Sequence, residues 1–194
     1  ELLTSSEAST PITPDTTHQR TLVLGGARSG KSTEAERILL DQPHVTYVAT
    51  SYPTSSDTDW AHRVALHQQS RPQHWRTVET LDLIDLLASD GEPLLIDCLT
   101  LWLTRIMDRH DAWNDDTWQT SARDAVHAEM AALADAWAHT PRRVVAVSNE
   151  VGQGVVPLGA GSRRFRDEMG RLNAAIARVS DDVRFCIAGR VQQL

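Results

Sequence analysis

Lysine is almost absent from this chain. Of 19 basic residues only Lys31 is a lysine, so whatever a lysine ammonium does here it does at one place. Cysteine is nearly as scarce. Cys98 and Cys186 are the only two, each inside an apolar run, which argues against a disulfide scaffold and reads as two buried free thiols. No apolar run approaches the ~20 residues of a membrane-spanning helix. Positive charge is in deficit: 26 acidic residues outnumber the 19 basic ones, and the net charge is −7. A surface of that sign argues against nucleic acid or an anionic membrane as partner, because both need a basic stripe. The opening ELLTSSEASTPITPDTTHQ lacks the apolar centre of a secretory signal. Rich in Ser, Thr and Pro, it is read as a flexible polar extension over residues 1–19. Residues 20–194 suffice for one sizeable core and are read as a single domain at work in the cytoplasm.

What is present is an alternation. TLVLGG (21–26), HVTYVAT (44–50), QHWRTVE (73–79), PLLIDCL (93–99), RRVVAVSNE (142–150) and DVRFCIAG (182–189) read as strands, several of them continuous apolar runs. Helical spacing of apolar residues recurs over 32–40, 60–67, 81–88, 117–138 and 162–179. The stretches 51–59 and 151–161 are loops by composition, and 104–120 is read as a polar, irregular excursion from the core. Strands alternating with helices predict an α/β domain with a mostly parallel central sheet covered on both faces.

One short motif carries chemistry. GGARSGKS follows the first strand and opens the first helix, the context that makes G-x-x-x-x-G-K-S a phosphate-binding P-loop. Gly25, Gly26, Ala27, Arg28, Ser29 and Gly30 let successive backbone N–H groups converge on one anion, reinforced by the positive end of the helix dipole. Lys31 reaches the outer phosphates, and the Ser32 hydroxyl is a ligand for Mg²⁺. The chain is therefore a nucleoside-triphosphate binder of the P-loop NTPase type. Asp97, at the end of an apolar strand, suits two roles: holding the magnesium, or capping the next helix.

The acceptor is not written in a phosphate loop. An ordered set of further motifs is: YVATS (47–51); Arg63, His67, Arg71-Pro72, Trp75, Thr77 and Glu79 as R-x-x-x-H…RP…W-x-T-x-E; IDCLTLWLT (96–104); SNEVGQGVVP (148–157); and RRFRDEMGRLNAAIA (163–177). With GGARSGKS, this set resembles the bifunctional adenosylcobinamide kinase / adenosylcobinamide-phosphate guanylyltransferase family of cobalamin biosynthesis, over roughly residues 20–190. The resemblance implies two activities. The hydroxyl of adenosylcobinamide takes the γ-phosphoryl of ATP or GTP. A histidine then attacks the α-phosphate of GTP and passes GMP to adenosylcobinamide phosphate. The position of that histidine is His67. The resemblance also implies nucleotide contacts from Ala49, Thr50, Ser51, Gln68, Gln69, Ser70, Arg71, Glu79 and Asp97, and assembly as a homotrimer.

The residues themselves are compatible with these roles and with plainer ones. Imidazole is largely neutral and nucleophilic at pH 7, and Arg63 shares a helical face with His67, disfavouring the imidazolium; a lone helical histidine is also an ordinary solvated group. His62 and His74 are read as surface groups. Glu79 is a nucleotide-site acid or a solvated carboxylate. Asn149 and Glu150 end a strand on the ligand side or merely open a turn. Arg163, Arg164, Arg166 and Arg171 form a solvated helix face or receive a phosphate or a neighbouring subunit. Trp102, Trp113 and Trp118 bury a subunit interface or pack within the monomer. Two other functions fit the phosphate loop alone: a single-activity small-molecule kinase with His67 passive, and a nucleotide-dependent regulatory protein.

Overall fold

The computed structural model describes residues 19–50 and 72–194. The expected extension up to residue 18, the loop over 51–59 and the helix over 60–67 lie outside these residues, as do Ser51, Arg63, His67, Gln68, Gln69, Ser70 and Arg71.

Seven strands form one sheet: β1 (Arg20–Gly25), β2 (Thr46–Ala49), β3 (Arg76–Glu79), β4 (Leu94–Asp97), β5 (Val144–Asn149), β6 (Asp182–Ile187) and β7 (Arg190–Gln193), in the order β3-β2-β4-β5-β1-β6-β7. Every pairing is parallel except β6 with β7. The helices are α1 (Lys31–Leu39), α2 (Leu83–Ala88), α3 (Leu99–Arg109), α4 (Arg123–His139) and α5 (Ala160–Arg178). A single helical turn, Asp115–Thr117, and a π-helical stretch, Trp118–Ala122, lead into α4.

The period-2 alternation of strand side chains divides the apolar residues between two cores. Leu22, Leu24, Val48, Leu94, Ile96, Val144 and Ala146 face α2 to α5. Val23, Tyr47, Leu95, Val145 and Val147 face Ala35, Ile38 and Leu39 of α1. Both faces of the central strands are buried, which is why those strands read as unbroken apolar runs. The α/β architecture with a mostly parallel sheet is the one the sequence implies.

Two elements differ from expectation. The segment 104–120 is not an excursion. α3 runs through it to Arg109 and buries Leu99, Trp102, Leu103, Ile106 and Met107 at helical spacing, and Ala112 just beyond is buried too. A window that starts at Thr104 cuts this stripe in half, leaving mostly polar residues. Trp102 is 1% exposed and packs inside the monomer rather than at an interface, its indole N–H donating to the Leu81 carbonyl at 3.2 Å. The second difference is β7. Arg190–Gln193 is exposed throughout and carries a single apolar residue, Val191, so no apolar pattern announces it; it follows the two-residue turn Ala188-Gly189, both at positive φ (50° and 74°), the backbone a tight hairpin requires.

Candidate phosphate-loop site

The carboxyl ends of the parallel strands share one edge of the sheet. Ala49 pairs with Asp97 and with Glu79, Asp97 with Val147, and Gly25 with Asn149. Ligands of open α/β sheets bind outside that edge.

β1 delivers the loop Gly26–Gly30 into the N-terminus of α1. The backbone is left-handed at Arg28 (φ 55°) and Gly30 (φ 95°), and Gly30 is the N-cap of α1 with no side-chain cap. The helix's first N–H groups are thus left free of any capping oxygen, the arrangement that receives an anion. Gly25 is fixed by space: a Cβ there would stand 2.3 Å from the Ser29 hydroxyl and 2.7 Å from the Cys186 carbonyl. Ala27 and Arg28 are exposed, Ser29 is buried, and the Ser29 hydroxyl has no hydrogen-bond partner among the described residues. The Lys31 ammonium arches back over the loop and donates to the Gly26 carbonyl at 2.9 Å. Ser32 follows in the first turn of α1, partly buried.

The base of α1 is anchored by charge. Glu34 is 6% exposed. It accepts from Arg37 Nε and Nη2, both at 2.8 Å, and from Arg184 Nη1 at 2.8 Å, while Arg184 Nε reaches Asp182 at 2.6 Å. Burial pushes the Glu34 carboxyl up, but the hydrogen bonds from Arg37 and Arg184 outweigh it and hold the group below the usual carboxylate range.

Asp97 is not a helix cap: the N-cap of α3 is Cys98, which makes no side-chain cap hydrogen bond. The Asp97 carboxylate accepts from the Tyr47 hydroxyl instead, a diagonal cross-strand contact between β4 and β2. By alternation with Leu95, Asp97 faces the side on which α1 packs. The carboxylate and the Ser32 hydroxyl are hard oxygen donors, the kind Mg²⁺ takes when it keeps waters and phosphate oxygens for its remaining positions. No larger cluster of metal-ligating side chains occurs among the described residues.

Thr50 lies at the same edge, fully buried. Its hydroxyl donates to the Cys98 carbonyl at 2.7 Å and accepts the Cys98 N–H at 3.1 Å. It therefore clasps β2 to the residue after Asp97 and has little left for a ligand. The Asp97–Cys98 peptide is cis. Burial, with the Asp97 charge adding to it, pushes the Cys98 thiol up to about 12; it is a neutral packing group. Cys98 and Cys186 are both buried and free, as read from the sequence.

Other candidates separate. Glu79 ends edge strand β3, exposed, and His74 is exposed. Glu150 accepts from the Gly152 N–H at 2.6 Å, the turn role, while its own N–H donates to the Gly25 carbonyl at 3.1 Å. Asn149 is held by Thr100 at 2.9 Å and Asn173 at 3.0 Å. The arginines of α5 brace their surroundings. Arg163 donates to the Pro157 carbonyl at 3.1 Å and Arg166 to that of Gly154 at 3.1 Å. Arg164 reaches Asp115 at 2.6 Å and stacks 4.9 Å from the Trp118 ring centre, and Arg171 lies 3.5 Å from Glu168. One contributor escaped sequence reading. The Gly189 N–H donates to the Ser29 carbonyl at 3.0 Å, so the β6–β7 turn supports the loop; the Ala-Gly pair before a terminal polar stretch was the only signal.

Among solved structures, the P4 protein from bacteriophage phi6 in complex with ADP aligns with 90% of this chain and 53% of that chain at TM-score 0.43 and 14% identity, too loosely to argue from. The bifunctional adenosylcobalamin biosynthesis protein CobP of Pseudomonas aeruginosa is 43% identical over 175 residues, 88% of this chain and 94% of its own length. Its counterpart CobU of Escherichia coli is 40% identical over 174 residues, 87% of this chain and 95% of its own. With residues 21–194 also matching the model of that family, the chain belongs to the cobinamide kinase / cobinamide phosphate guanyltransferase family.

Proposed function

We propose that this chain phosphorylates adenosylcobinamide and then guanylylates the product, yielding adenosylcobinamide-GDP in cobalamin biosynthesis. The observation that supports this most is a formed phosphate loop, Gly25–Ser32, in a chain that matches the family from residue 21 to 194. In the first step the acceptor hydroxyl oxygen bonds to the γ-phosphorus of ATP or GTP. The bond to the β–γ bridging oxygen breaks, the hydroxyl proton is lost, and the nucleoside diphosphate leaves. Lys31 exchanges the Gly26 carbonyl for phosphate oxygen, and loop N–H groups stabilise the charge that spreads over the γ-phosphoryl oxygens.

In the second step a ring nitrogen of His67 bonds to the α-phosphorus of GTP and pyrophosphate leaves. A phosphate oxygen of adenosylcobinamide phosphate then displaces the histidine, breaking the P–N bond and freeing the imidazole. Ala49, Ser51, Gln68, Gln69, Ser70, Arg71 and Glu79 border the nucleotide, with Arg71 clamping phosphate; Thr50 acts by positioning. Ser32 and Asp97 hold Mg²⁺, which when bound neutralises charge on the phosphate oxygens. The chain works as a homotrimer in the cytoplasm, where its nucleotides are.

The test is incubation with α-labelled GTP. Wild-type protein should acquire an acid-labile, base-stable label that His67→Ala lacks, and wild type alone should convert adenosylcobinamide phosphate to adenosylcobinamide-GDP. Product formation with no label on the protein would mean direct transfer and would overturn the role of His67.

A further inference from the structure

The phosphoryl step leaves a proton to be placed. The acceptor is a hydroxyl, which sheds its proton as its oxygen bonds to phosphorus. The Lys31 ammonium has no lone pair to receive it, whereas a carboxylate beside the acceptor can. Among the described residues, Glu79, Asp97 and Glu150 are the carboxylates that end or directly follow a parallel strand at the ligand edge of the sheet. Glu79 lies on β3, with β2, β4 and β5 between it and the loop-bearing β1. Asp97 accepts from the Tyr47 hydroxyl and has the magnesium role in the proposed function. Glu150 follows β5, the strand paired with β1 on one side and β4 on the other. Its N–H donates to the Gly25 carbonyl at 3.1 Å, so its backbone is in direct contact with the start of the phosphate loop.

The support of Glu150 is fixed from several elements. The Asn149 N–H donates to the Thr100 hydroxyl at 2.9 Å, and the Asn149 carbonyl accepts from Asn173 at 3.0 Å. Beyond the turn, Arg166 donates to the Gly152 and Gly154 carbonyls. The Glu150 side chain is half-buried, and its Oε1 accepts the Gly152 N–H at 2.6 Å. A Cβ on Gly152 would stand 2.9 Å from that oxygen. Among the described residues nothing bonds to Oε2. One oxygen thus orients the carboxylate while the lone pairs of the other stay open to a donor.

We propose that Glu150 is the general base of the kinase step. The inference rests on the proposed function and adds a catalytic residue to it. As the acceptor oxygen bonds to the γ-phosphorus, the hydroxyl proton passes to the Glu150 carboxylate. The bond to the β–γ bridging oxygen breaks, and its electron pair leaves with the nucleoside diphosphate. The carboxylic acid then gives the proton to water. The guanylyl step needs no such group: a neutral imidazole attacks through its lone pair, and the phosphate oxygen that displaces it is already ionised. The two half-reactions therefore differ in their need for Glu150.

The experiment measures them separately on the full chain: phosphorylation of adenosylcobinamide by ATP, and guanylylation of adenosylcobinamide phosphate by GTP. Glu150→Gln keeps an acceptor for the Gly152 N–H and removes the base. It should lower kcat of phosphorylation at least ~100-fold, the lower end of what a positioned base supplies, with guanylylation within about threefold of wild type. Gly152→Ala is the second variant. The atom its Cβ meets is the free end of a flexible side chain, so the carboxylate swings aside and the turn stays. It should lower phosphorylation at least ~10-fold by misplacing the base, again sparing guanylylation, and it decides the matter should Glu150→Gln fail to fold. Phosphorylation within threefold of wild type overturns the inference and leaves Glu150 a turn acceptor. So does an equal fall in both half-reactions, which would make it a nucleotide or magnesium contact, or a rise in KM alone, which would make it a binding contact. A wild-type chain that phosphorylates no adenosylcobinamide defeats the proposed function, and the inference with it.

Discussion

The backbone N–H of Gly189 donates to the carbonyl of Ser29 at 3.0 Å, and its Cα stands 3.4 Å from where a Cβ on Gly30 would lie. The last hairpin of the chain is thus a strut for the phosphate loop. Gly189 has φ 74°, so Gly189→Val strains the turn by roughly 1–2 kcal/mol. The expected result is a Tm lower by about 2–8 °C together with a several-fold higher KM for both ATP and GTP. A lower Tm with unchanged nucleotide KM would leave the hairpin with a purely structural role.

Lys31 gives a direct chemical readout because it is the only lysine. Any acylation of a lysine side chain falls there. ATP or GTP should slow that modification, with protection rising along the nucleotide's binding curve. Lys31→Met should lower phosphoryl transfer at least ~100-fold, the scale of losing a preorganised transition-state donor. Among the described residues its ammonium bonds only to the Gly26 carbonyl, so Tm should barely move. Lys31→Arg should not rescue activity, since a planar fork does not replace a compact ammonium.

The phosphate loop was legible because its chemistry is local: eight consecutive residues carry both the turn and the ligands, and the strand before and helix after were visible as periodicity. The central strands were legible for the same reason, being buried on both faces. What escaped was non-local. No local pattern marks Glu34, whose partner Arg184 is brought to 2.8 Å only by β6. The clasp between the Thr50 hydroxyl and Cys98 exists only once β4 lies beside β2. Asp97 fitted two roles in sequence; the Tyr47 hydroxyl on its carboxylate and the Cys98 cap remove the capping one. β7 escaped because a fully exposed strand has no apolar pattern. The covalent role of His67 came from family resemblance, since Arg63 at helical spacing is compatible with that role without requiring it.

Tyr47 acts on Asp97 across the sheet. Removing its hydroxyl with Tyr47→Phe frees one carboxylate oxygen from a fixed orientation while leaving the ring to pack against α1. With Asp97 in the proposed metal-holding role, a partner one step behind it is expected to carry ~10–100-fold in metal affinity or activity. The kinase rate measured against Mg²⁺ concentration should shift to higher concentration in the variant, with saturation recovering most of the wild-type rate. An unshifted Mg²⁺ dependence would remove Asp97 from the metal site.

Glu34 links the acid stability of the fold to the phosphate loop. Its carboxyl is held below its ordinary value of 4.5 despite burial, because Arg37 and Arg184 bind its charged form. The stability it contributes is therefore complete above the unfolded value and is lost as pH falls through the lower folded one. Asp181, lowered by its hydrogen bond from Arg20, behaves in the same sense. Glu34→Gln should cost about 1–3 kcal/mol at pH 7, the loss of charged hydrogen bonds at a buried site. As pH falls from 4.5 through the lower folded value, wild type progressively loses the same interaction and the two proteins should converge. The variant's fall in Tm with acid should be shallower but not flat, since the Asp181 contribution remains. Parallel acid limbs for variant and wild type would mean that Glu34 is not ionised in the native chain, contrary to the geometry at the base of α1.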